Sequence, residues 1–208
     1  MKIIKPSIEL LNAPNYEAVL EKIERAGRVC YKSEDKIKDG SAEAFIRGII
    51  KHGHESVIEH ANLSVIVICD RGVSHEIVRH RIASYSQEST RYCNYAGDKF
   101  GKEITVIEPC FLVPGTEGYA YWKHGCEKAE EAYFDMLNWG CSPQEARSVL
   151  PNSLKTELVM TMNLREWRHF LRLRTSPASH PQMREVAKMI LCKFALCYPV
   201  FFADLVEE

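Results

Sequence analysis

The sequence predicts an α/β (α+β) fold, in which a central twisted sheet is flanked by helices. Most of the chain has helical periodicity, and two apolar runs, ANLSVIVICD at 61–70 and TELVMTMN at 156–163, are typical of buried strands. No repeat and no linker-like segment divides the 208 residues, a length that suits one substantial core. We therefore expect residues 1–208 to form a single domain.

The first half of the chain is expected to alternate strands and helices. KIIKPSIELL alternates apolar and polar residues, which indicates an edge strand interrupted at Pro6. Two amphipathic helices follow, for which Asn15 and Ser41 are suitable N-caps, and Gly53 marks the end of the second. The strand at 61–70 leads into a short helix, RGVSHEIVRHR, and then into a stretch that looks extended.

The second half is expected to be mainly helical. EPCFLVPGTEG, with two Pro and two Gly, indicates a loop before a long amphipathic helix at 118–139. SPQEARSVLP begins another helix, with Ser142 as the cap, Pro143 in the first position and Glu145 three residues after the cap. After the second strand, NLREWRHFLRLR and HPQMREVAKMILCKFALCYPVFFADL both have the helical period.

Composition restricts the class of protein. Hydrophobic residues make up 46% and charged residues 26%, which is typical of a globular protein. The formal net charge is -1, so the protein lacks the overall positive charge that attracts nucleic acid. The longest strongly apolar run, SVIVIC, is far too short to cross a membrane, and MKIIKPSIEL does not resemble a signal peptide. Eight cysteines without CxxC spacing indicate reduced thiols, so we expect a cytoplasmic location.

The segment HGHESVIEH contains side chains that often bind metals. The helix of a zinc protease needs HExxH, whereas His54 and His60 lie six residues apart, so the spacing favours a polar segment before a buried strand. Polar contacts from this segment to a ligand remain open, and so does a metal hydrolase built on His52, His54 and His60.

The stretch RHRIASYSQESTRY at 79–92 combines arginines with many hydroxyl groups. In an extended chain Arg79 and Arg81 point to one side and His80 to the other. Two adjacent guanidinium groups suit a bidentate grip on phosphate or carboxylate.

Further along the same stretch, Ser89, Thr90 and nearby backbone amides are suited to hold a second phosphate, with Arg91 as its counter-charge. A solvated basic loop is the alternative. Ser89 as a nucleophile is disfavoured because no adjacent base is evident.

A third cluster lies in NLREWRHFLRLR. On a helix Leu164, Trp167 and Leu171 form a buried stripe. The remaining side chains include more hydrogen-bond donors than nearby acids can match: Asn163, Arg165, His169 and Arg174.

Arg147 adds one more donor. An arginine opposite a uracil ring can donate to O2 and O4, but it meets N3–H donor to donor. Such pairing therefore favours the ionised N3.

Together these segments resemble the flavin-dependent thymidylate synthase family. RHR, followed by seven residues and Ser89, is similar to its signature, and HGHESVIEH, EARSVLP and HPQMRE are similar to other family segments. The resemblance spans about residues 40–200. It implies a homotetramer that binds one FAD per subunit, in sites built from more than one chain.

The resemblance also implies a reaction. 5,10-Methylenetetrahydrofolate and NADPH would convert dUMP to dTMP, with tetrahydrofolate as product and without a cysteine nucleophile, although Cys93 lies beside the motif. By position the FAD-binding residues would be Ser56, Glu59, Arg79, His80, Arg81, Gln87, Asn163, Arg165 and His169. The residues around dUMP would be Glu76, Arg79, Gln87, Glu88, Ser89, Thr90, Arg91, Arg147 and Arg174.

Arg174 would be the catalytic residue, since it would favour ionised N3 and activate the pyrimidine. No metal, nucleic-acid or membrane partner is expected. A non-catalytic nucleotide- or RNA-binding module, using the Arg and Tyr clusters, is a further alternative.

Overall fold

The structure, a computed structural model, describes residues 1–206 apart from the side chain of Lys99. The strands are β1 (Lys2–Ile4), β2 (Ser7–Leu10), β3 (Asn62–Asp70), β4 (Ser84–Gln87), β5 (Thr105–Ile107) and β6 (Lys155–Asn163). The α-helices are α1 (Tyr16–Val29), α2 (Ser41–Lys51), α3 (Arg71–Ile77), α4 (Glu117–Asn138), α5 (Pro143–Ala146), α6 (Leu164–Thr175), α7 (Pro181–Cys197) and α8 (Pro199–Phe202). The predicted mixture of helix and sheet is confirmed.

The strands form two sheets within the described residues. One contains β1 and β5 in parallel, with Lys2 opposite Thr105 and Ile4 opposite Ile107. The other has four strands in the order β2-β3-β6-β4. The predicted N-terminal strand is indeed interrupted at Pro6, because proline cannot donate a ladder hydrogen bond. The two halves belong to different sheets.

The chain divides into two compact units, each assembled from separate segments. Unit 1 contains Met1–Ser7, Val67–Arg79 and Ser86–Leu158. Unit 2 contains Ile8–Ile66, His80–Tyr85 and the chain from Val159 onward. A single domain stays a prediction.

Unit 2 has an aromatic core under helix α6. The Trp167 ring meets the Phe194 ring edge-on at a centroid distance of 4.9 Å, and its Nε1 donates to the Leu63 carbonyl at 3.0 Å. Leu164, Trp167 and Leu171 are fully buried, as the predicted stripe requires. This burial fixes which face of α6 is left for polar side chains.

Arg168 is the fully buried charge of helix α6. Its Nε donates to Glu55 at 3.0 Å, and its terminal nitrogens donate to the two carboxylate oxygens of Asp204 at 2.7 and 2.6 Å and to the Phe201 carbonyl. A buried guanidinium is tolerated only when it is fully paired. These bonds tie α6 to the 3-10 helices at Glu55–His60 and Ala203–Leu205.

Unit 1 has a smaller core beneath helix α4. The Tyr133 ring is completely buried, and its hydroxyl accepts a hydrogen bond from the Tyr95 amide at 3.3 Å. The buried members of this cluster are Tyr95, Ile104, Val106, Cys126, Tyr133, Ala146 and Leu154.

Two of the predicted caps are confirmed and one is wrong. The Asn15 side chain accepts from the Ala18 amide at 3.1 Å, and Ser142 forms a capping box with its Glu. The cap of α2 is Gly40 at a φ of 74°, rather than Ser41. The Ser41 hydroxyl donates instead to the buried carboxylate of Glu24 at 2.8 Å.

Two predicted helices are shorter than their periodicity suggests. The C-terminal helix stops at Cys197, because Pro199 cannot continue it, and resumes as α8. The helix that begins at Pro143 gives way to 3-10 geometry at Arg147–Val149. No helix within residues 1–206 is long and apolar enough to cross a membrane.

We expect Arg168→Ala to lower the free energy of unfolding by about 3–5 kcal/mol, because it leaves the carboxylates of Glu55 and Asp204 without their buried partner. Urea denaturation at pH 7 measures this loss. The exposed Arg25→Ala on α1 is the matched control, with a change within about 0.5 kcal/mol. An equal loss in both variants would contradict the assigned role of Arg168.

The ion pair between Arg168 and Asp204 also predicts how the stability of the protein depends on pH. Burial by itself raises the pKa of Asp204, but hydrogen bonds and charge from Arg168 outweigh it and hold that pKa below its ordinary value of 3.8. Stability from a lowered carboxyl pKa is present above the unfolded pKa and is lost as the pH falls through the folded pKa. The difference between wild type and Arg168→Ala should therefore shrink below about pH 4.

Candidate active site

The predicted site residues fall in both units. In unit 1 lie Glu76, Arg79, Gln87, Glu88, Ser89, Thr90, Arg91 and Arg147. In unit 2 lie Ser56, Glu59, His80, Arg81, Asn163, Arg165, His169 and Arg174.

In unit 2 helix α6 and its surroundings bring four of the nine predicted cofactor residues together. Asn163 caps the helix, its side chain accepting from the Glu166 amide at 2.8 Å. Arg165, His169 and Arg172 recur at helical spacing and lie on one face of the helix. They border a cavity of about 500 Å³, which we call the α6 cavity. Its lining residues are Glu55, Glu59, Ile82, Asn163, Arg165, Glu166, His169 and Arg172.

The charges around the α6 cavity are paired but accessible. Arg165 Nη1 lies 2.6 Å from Glu59 Oε1, and about half of each side chain is exposed, 53% and 42%. An exposed ion pair contributes little to stability, so Arg165 is available to a bound anion at small cost.

Ser56 lies beside a second cavity of unit 2, of about 380 Å³, that is also bordered by Tyr31, His54 and Arg165. Arg165 therefore lines both cavities, which brings Ser56 into the neighbourhood of the other predicted cofactor residues. Arg81 is exposed and lines neither cavity.

His80 and Arg174 form a partly buried contact of the site. Arg174 Nε donates to His80 Nε2 at 3.0 Å. The imidazole is buried and meets the Phe170 ring edge-on at a centroid distance of 4.8 Å. Burial, followed by the charge of Arg174 and by the proximity of His169, lowers the pKa of His80 to about 4. At neutral pH the ring is therefore uncharged.

His80, Glu166 and His169 also form a group with metal-ligand chemistry, whose ligand atoms all lie within 4.8 Å of one another. The donor from Arg174 already uses the Nε2 lone pair of His80, and a guanidinium repels a cation. Among the described residues His52, His54 and His60 form no such group, and all three are exposed. The geometry therefore gives no support to a hydrolase built on those histidines.

The predicted extended stretch is wrong over most of its length. Only Ser84–Gln87 forms a strand, because the Arg79 amide donates to the Glu76 carbonyl at 3.2 Å and closes a turn. A second turn begins at Ser89, whose carbonyl accepts from the Tyr92 amide at 3.1 Å. Arg79 and Arg81 are exposed and His80 is buried, so the expected alternation survives without strand geometry.

In unit 1 Gln87 and Glu88 are held by neighbouring side chains. Gln87 Nε2 donates to Ser74 Oγ at 2.9 Å and to Thr156 Oγ1 at 3.1 Å, which leaves Oε1 as the atom to offer a ligand. Glu88 Oε2 accepts from Lys155 Nζ at 2.8 Å. Lys155 therefore neutralises the acid of the arginine-rich stretch.

Thr90 and Arg147 are also brought together in unit 1. Arg147 Nη1 donates to Thr90 Oγ1 at 3.3 Å. Both border a cavity of about 420 Å³, which we call the Arg147 cavity. Within the described part of the chain, two arginines and a histidine line it and no carboxylate does: Arg71, His75, Thr90, Gln144, Arg147, Ser148, Leu150, Pro151, Asn152 and Leu154.

Ser89, Arg91 and Glu76 lie outside this lining. The Ser89 hydroxyl accepts from the Arg91 amide at 3.3 Å, and the Arg91 guanidinium lies 5.5 Å from the centre of the Tyr92 ring. Glu76 is half-buried on α3.

Arg71 is the site residue that sequence reasoning missed. Its backbone amide donates to the carbonyls of Asn152 and Leu154, which fixes the start of α3 beside the Arg147 cavity. Its Nη1 is buried, and among the described residues it has no hydrogen-bond partner. A buried donor without an acceptor is costly, so the cavity is suited to an anion. The position of Arg71, directly after the buried strand β3, is the sequence feature that could have indicated it.

The pKa values of the Cys69 and Cys126 thiols are shifted upward, which is opposite to the shift found in an activated thiol. Burial, followed by the charge of Asp70, raises the pKa of Cys69 far above its ordinary value. Burial likewise raises the pKa of Cys126. Nucleophilic cysteines have lowered values, so neither residue has nucleophile chemistry.

Comparison with known proteins identifies the family. Residues 13–200 match the family model described as thymidylate synthase complementing protein. A flavin-dependent thymidylate synthase of Pyrococcus furiosus is 35% identical over 183 residues, 85% of this chain and 74% of that protein. Its counterpart in Geobacter sulfurreducens is 33% identical over 202 residues, 94% of this chain and 84% of that protein.

A solved structure is also similar. A UMP/dUMP methylase of Streptomyces cacaoi, bound with 5-Br dUMP, superimposes with a TM-score of 0.80 at 26% identity, covering 100% of this chain and 97% of that one. The motifs, the fold and these matches agree. This chain belongs to the family of flavin-dependent thymidylate synthases.

Proposed function

We propose that this protein catalyses the reductive methylation of dUMP to dTMP, with FAD as cofactor, 5,10-methylenetetrahydrofolate as one-carbon donor and NADPH as reductant. Family membership already makes it a flavin-dependent methyltransferase. The observation that carries the finer proposal is the Arg174 guanidinium, held at 3.0 Å by the buried His80. The working form is a homotetramer whose sites take residues from more than one chain.

Arg174 activates the pyrimidine by hydrogen bonding. Its N–H groups donate to the uracil carbonyl oxygens, and the same positive charge stabilises the anion that forms when N3 loses its proton. Donors that are already oriented need no rearrangement when charge develops, which is the main source of such catalysis.

The phosphate of dUMP occupies the Arg147 cavity. Arg147, Arg71 and Thr90 supply donors there, and the two guanidinium groups match the charge of the phosphate without a competing carboxylate among the described lining residues. The buried Nη1 of Arg71 gains the acceptor that it lacks in the protein alone. Ser89 and Arg91 lie outside the lining of this cavity and would contact other parts of the nucleotide.

The residues around the α6 cavity fit a flavin dinucleotide. Asn163, Arg165 and His169 offer amide, guanidinium and imidazole groups, the donors that diphosphate and flavin ring atoms need. FAD bound there supplies hydride chemistry at the pyrimidine. The protein's own task is to bind and orient both ligands, and no thiol nucleophile is required.

NADPH rather than NADH as the reductant follows from the family resemblance, and a cytoplasmic location follows from composition. All eight cysteines, each of which lies in the described range, are free thiols. A reducing compartment suits this arrangement.

The purified protein should carry flavin absorbance bands that shift when dUMP is added. With methylenetetrahydrofolate and NADPH it should form dTMP, measured by chromatography, and UMP should be tested alongside.

Arg174→Ala should lower kcat about 10²- to 10³-fold without loss of flavin, because it removes a preorganised donor. Arg25→Ala is the surface control. Wild-type turnover in Arg174→Ala would remove Arg174 from the mechanism, and absence of flavin binding would reject the whole assignment.

Arg71→Ala should weaken dUMP binding about 10- to 100-fold, because a charge-assisted hydrogen bond to phosphate is lost. Titration calorimetry with dUMP and with deoxyuridine separates the phosphate contribution from that of the base. Deoxyuridine, which has no phosphate, should bind wild type and variant equally. If both ligands lose affinity alike, Arg71 supports the fold and does not contact phosphate.

A further inference from the structure

Glu166 is the member of the His80, Glu166 and His169 group to which neither the motifs nor the proposed reaction gives a role. It lies in the first turn of α6, and its Oε1 is 3.7 Å from His80 Nδ1. Only 12% of its side chain is exposed, and 5% of that of His80. Burial raises the pKa of Glu166, against the lowering effect of His169 and Arg165.

A carboxylate in the first turn of a helix usually has a simpler purpose. It stabilises the positive end of the helix dipole, for which an exposed position is sufficient, as with Glu117 at the start of α4. The burial of Glu166 against one imidazole nitrogen goes beyond that requirement and needs its own explanation.

The contact between His80 and Arg174 decides which nitrogen of the imidazole carries the proton. A guanidinium only donates, so His80 Nε2 must be the unprotonated acceptor at 3.0 Å. The neutral ring has one proton, which therefore lies on Nδ1 and faces the Glu166 carboxylate. In the other tautomer, two N–H groups would oppose each other between His80 and Arg174.

Other neighbours restrain the ring without choosing its tautomer. Phe170 packs edge-on against it, and Tyr85 donates to the backbone carbonyl of His80 at 2.7 Å. The His169 ring lies at a centroid distance of 6.0 Å. Of these side chains, Glu166 is the one that carries a negative charge beside Nδ1.

We propose that Glu166 is a positioning residue that acts through His80 on Arg174. It holds the imidazole proton on Nδ1, so that Nε2 accepts from Arg174 Nε and fixes the plane of the guanidinium. The terminal nitrogens of Arg174 are then presented in one direction to the pyrimidine. This inference rests on the role proposed above for Arg174.

The first test compares Glu166→Ala with Glu166→Gln in the flavin-loaded enzyme. Gln keeps a partly negative oxygen that can face Nδ1–H, which lies 3.7 Å from the carboxylate oxygen in the wild type, whereas Ala removes it. We expect kcat for dTMP formation to fall about tenfold to a hundredfold in the Ala variant, because small misplacements of a catalytic group are costly. The KM for dUMP and the flavin content should stay near wild type, and Glu166→Gln should retain most of the activity.

Glu117→Ala is the matched control, since it removes an exposed first-turn acid from another helix and should leave kcat unchanged. Glu166→Ala with wild-type kcat would overturn the proposal. So would a Gln variant as impaired as the Ala variant, because a general loss of charge or packing would then explain both.

The second test reads the tautomer directly and does not depend on turnover. The protein has eight histidines, and ¹⁵N spectra of histidine-labelled enzyme, with His80→Gln as the assignment reference, identify the two His80 nitrogens. Wild type should show protonated Nδ1 and unprotonated Nε2 at neutral pH, and Glu166→Ala should lose this preference. Protonated Nε2 in wild type would overturn the inference.

The two tests separate this inference from the proposed function. If wild type forms no dTMP, the proposed function fails, while the tautomer still shows whether Glu166 controls His80. If Glu166→Ala does not fold, the Gln variant and the wild-type spectrum still decide.

Discussion

The buried guanidinium of Arg168 is the interaction on which the rest of unit 2 depends. Its hydrogen bonds to Glu55, Asp204 and the Phe201 carbonyl fix helix α6 beside the α6 cavity, which Glu55 also lines. Because α6 is held in this way, Arg165, His169 and Arg172 border the α6 cavity in a defined register. Arg168, which has no direct role in the proposed reaction, thus determines where the polar side chains of the α6 cavity lie.

The candidate site pairs a charged guanidinium with a neutral imidazole. Guanidinium groups in general are charged at physiological pH, whereas burial and the neighbouring charge of Arg174 lower the pKa of His80 and keep it neutral. A neutral imidazole can accept from a guanidinium, and a protonated one cannot. The lowered pKa of His80 therefore secures the orientation of Arg174, which is the property that the proposed activation of the pyrimidine requires.

Much of the fold follows from local rules that the sequence carries. The buried stripe of Leu164, Trp167 and Leu171, the cap at Asn15 and the capping box at Ser142 are each confirmed, because periodicity and capping act over a few residues. The family motifs likewise single out His80 and Arg174, which are in contact in the structure. Ser41 failed as a cap because the buried Glu24 in another helix needs its hydroxyl.

The sequence by itself determined most of the helices, the two long strands, the family and most of the residues proposed for the site, since these depend on residue type and spacing. Only the tertiary structure decided which charges are paired: Lys155 neutralises Glu88, while Nη1 of Arg71 is buried without a partner in the described chain. It also placed Glu166 against His80, 86 residues earlier in the sequence. Burial and distance between remote side chains set pKa values and tautomers, and no local pattern encodes them.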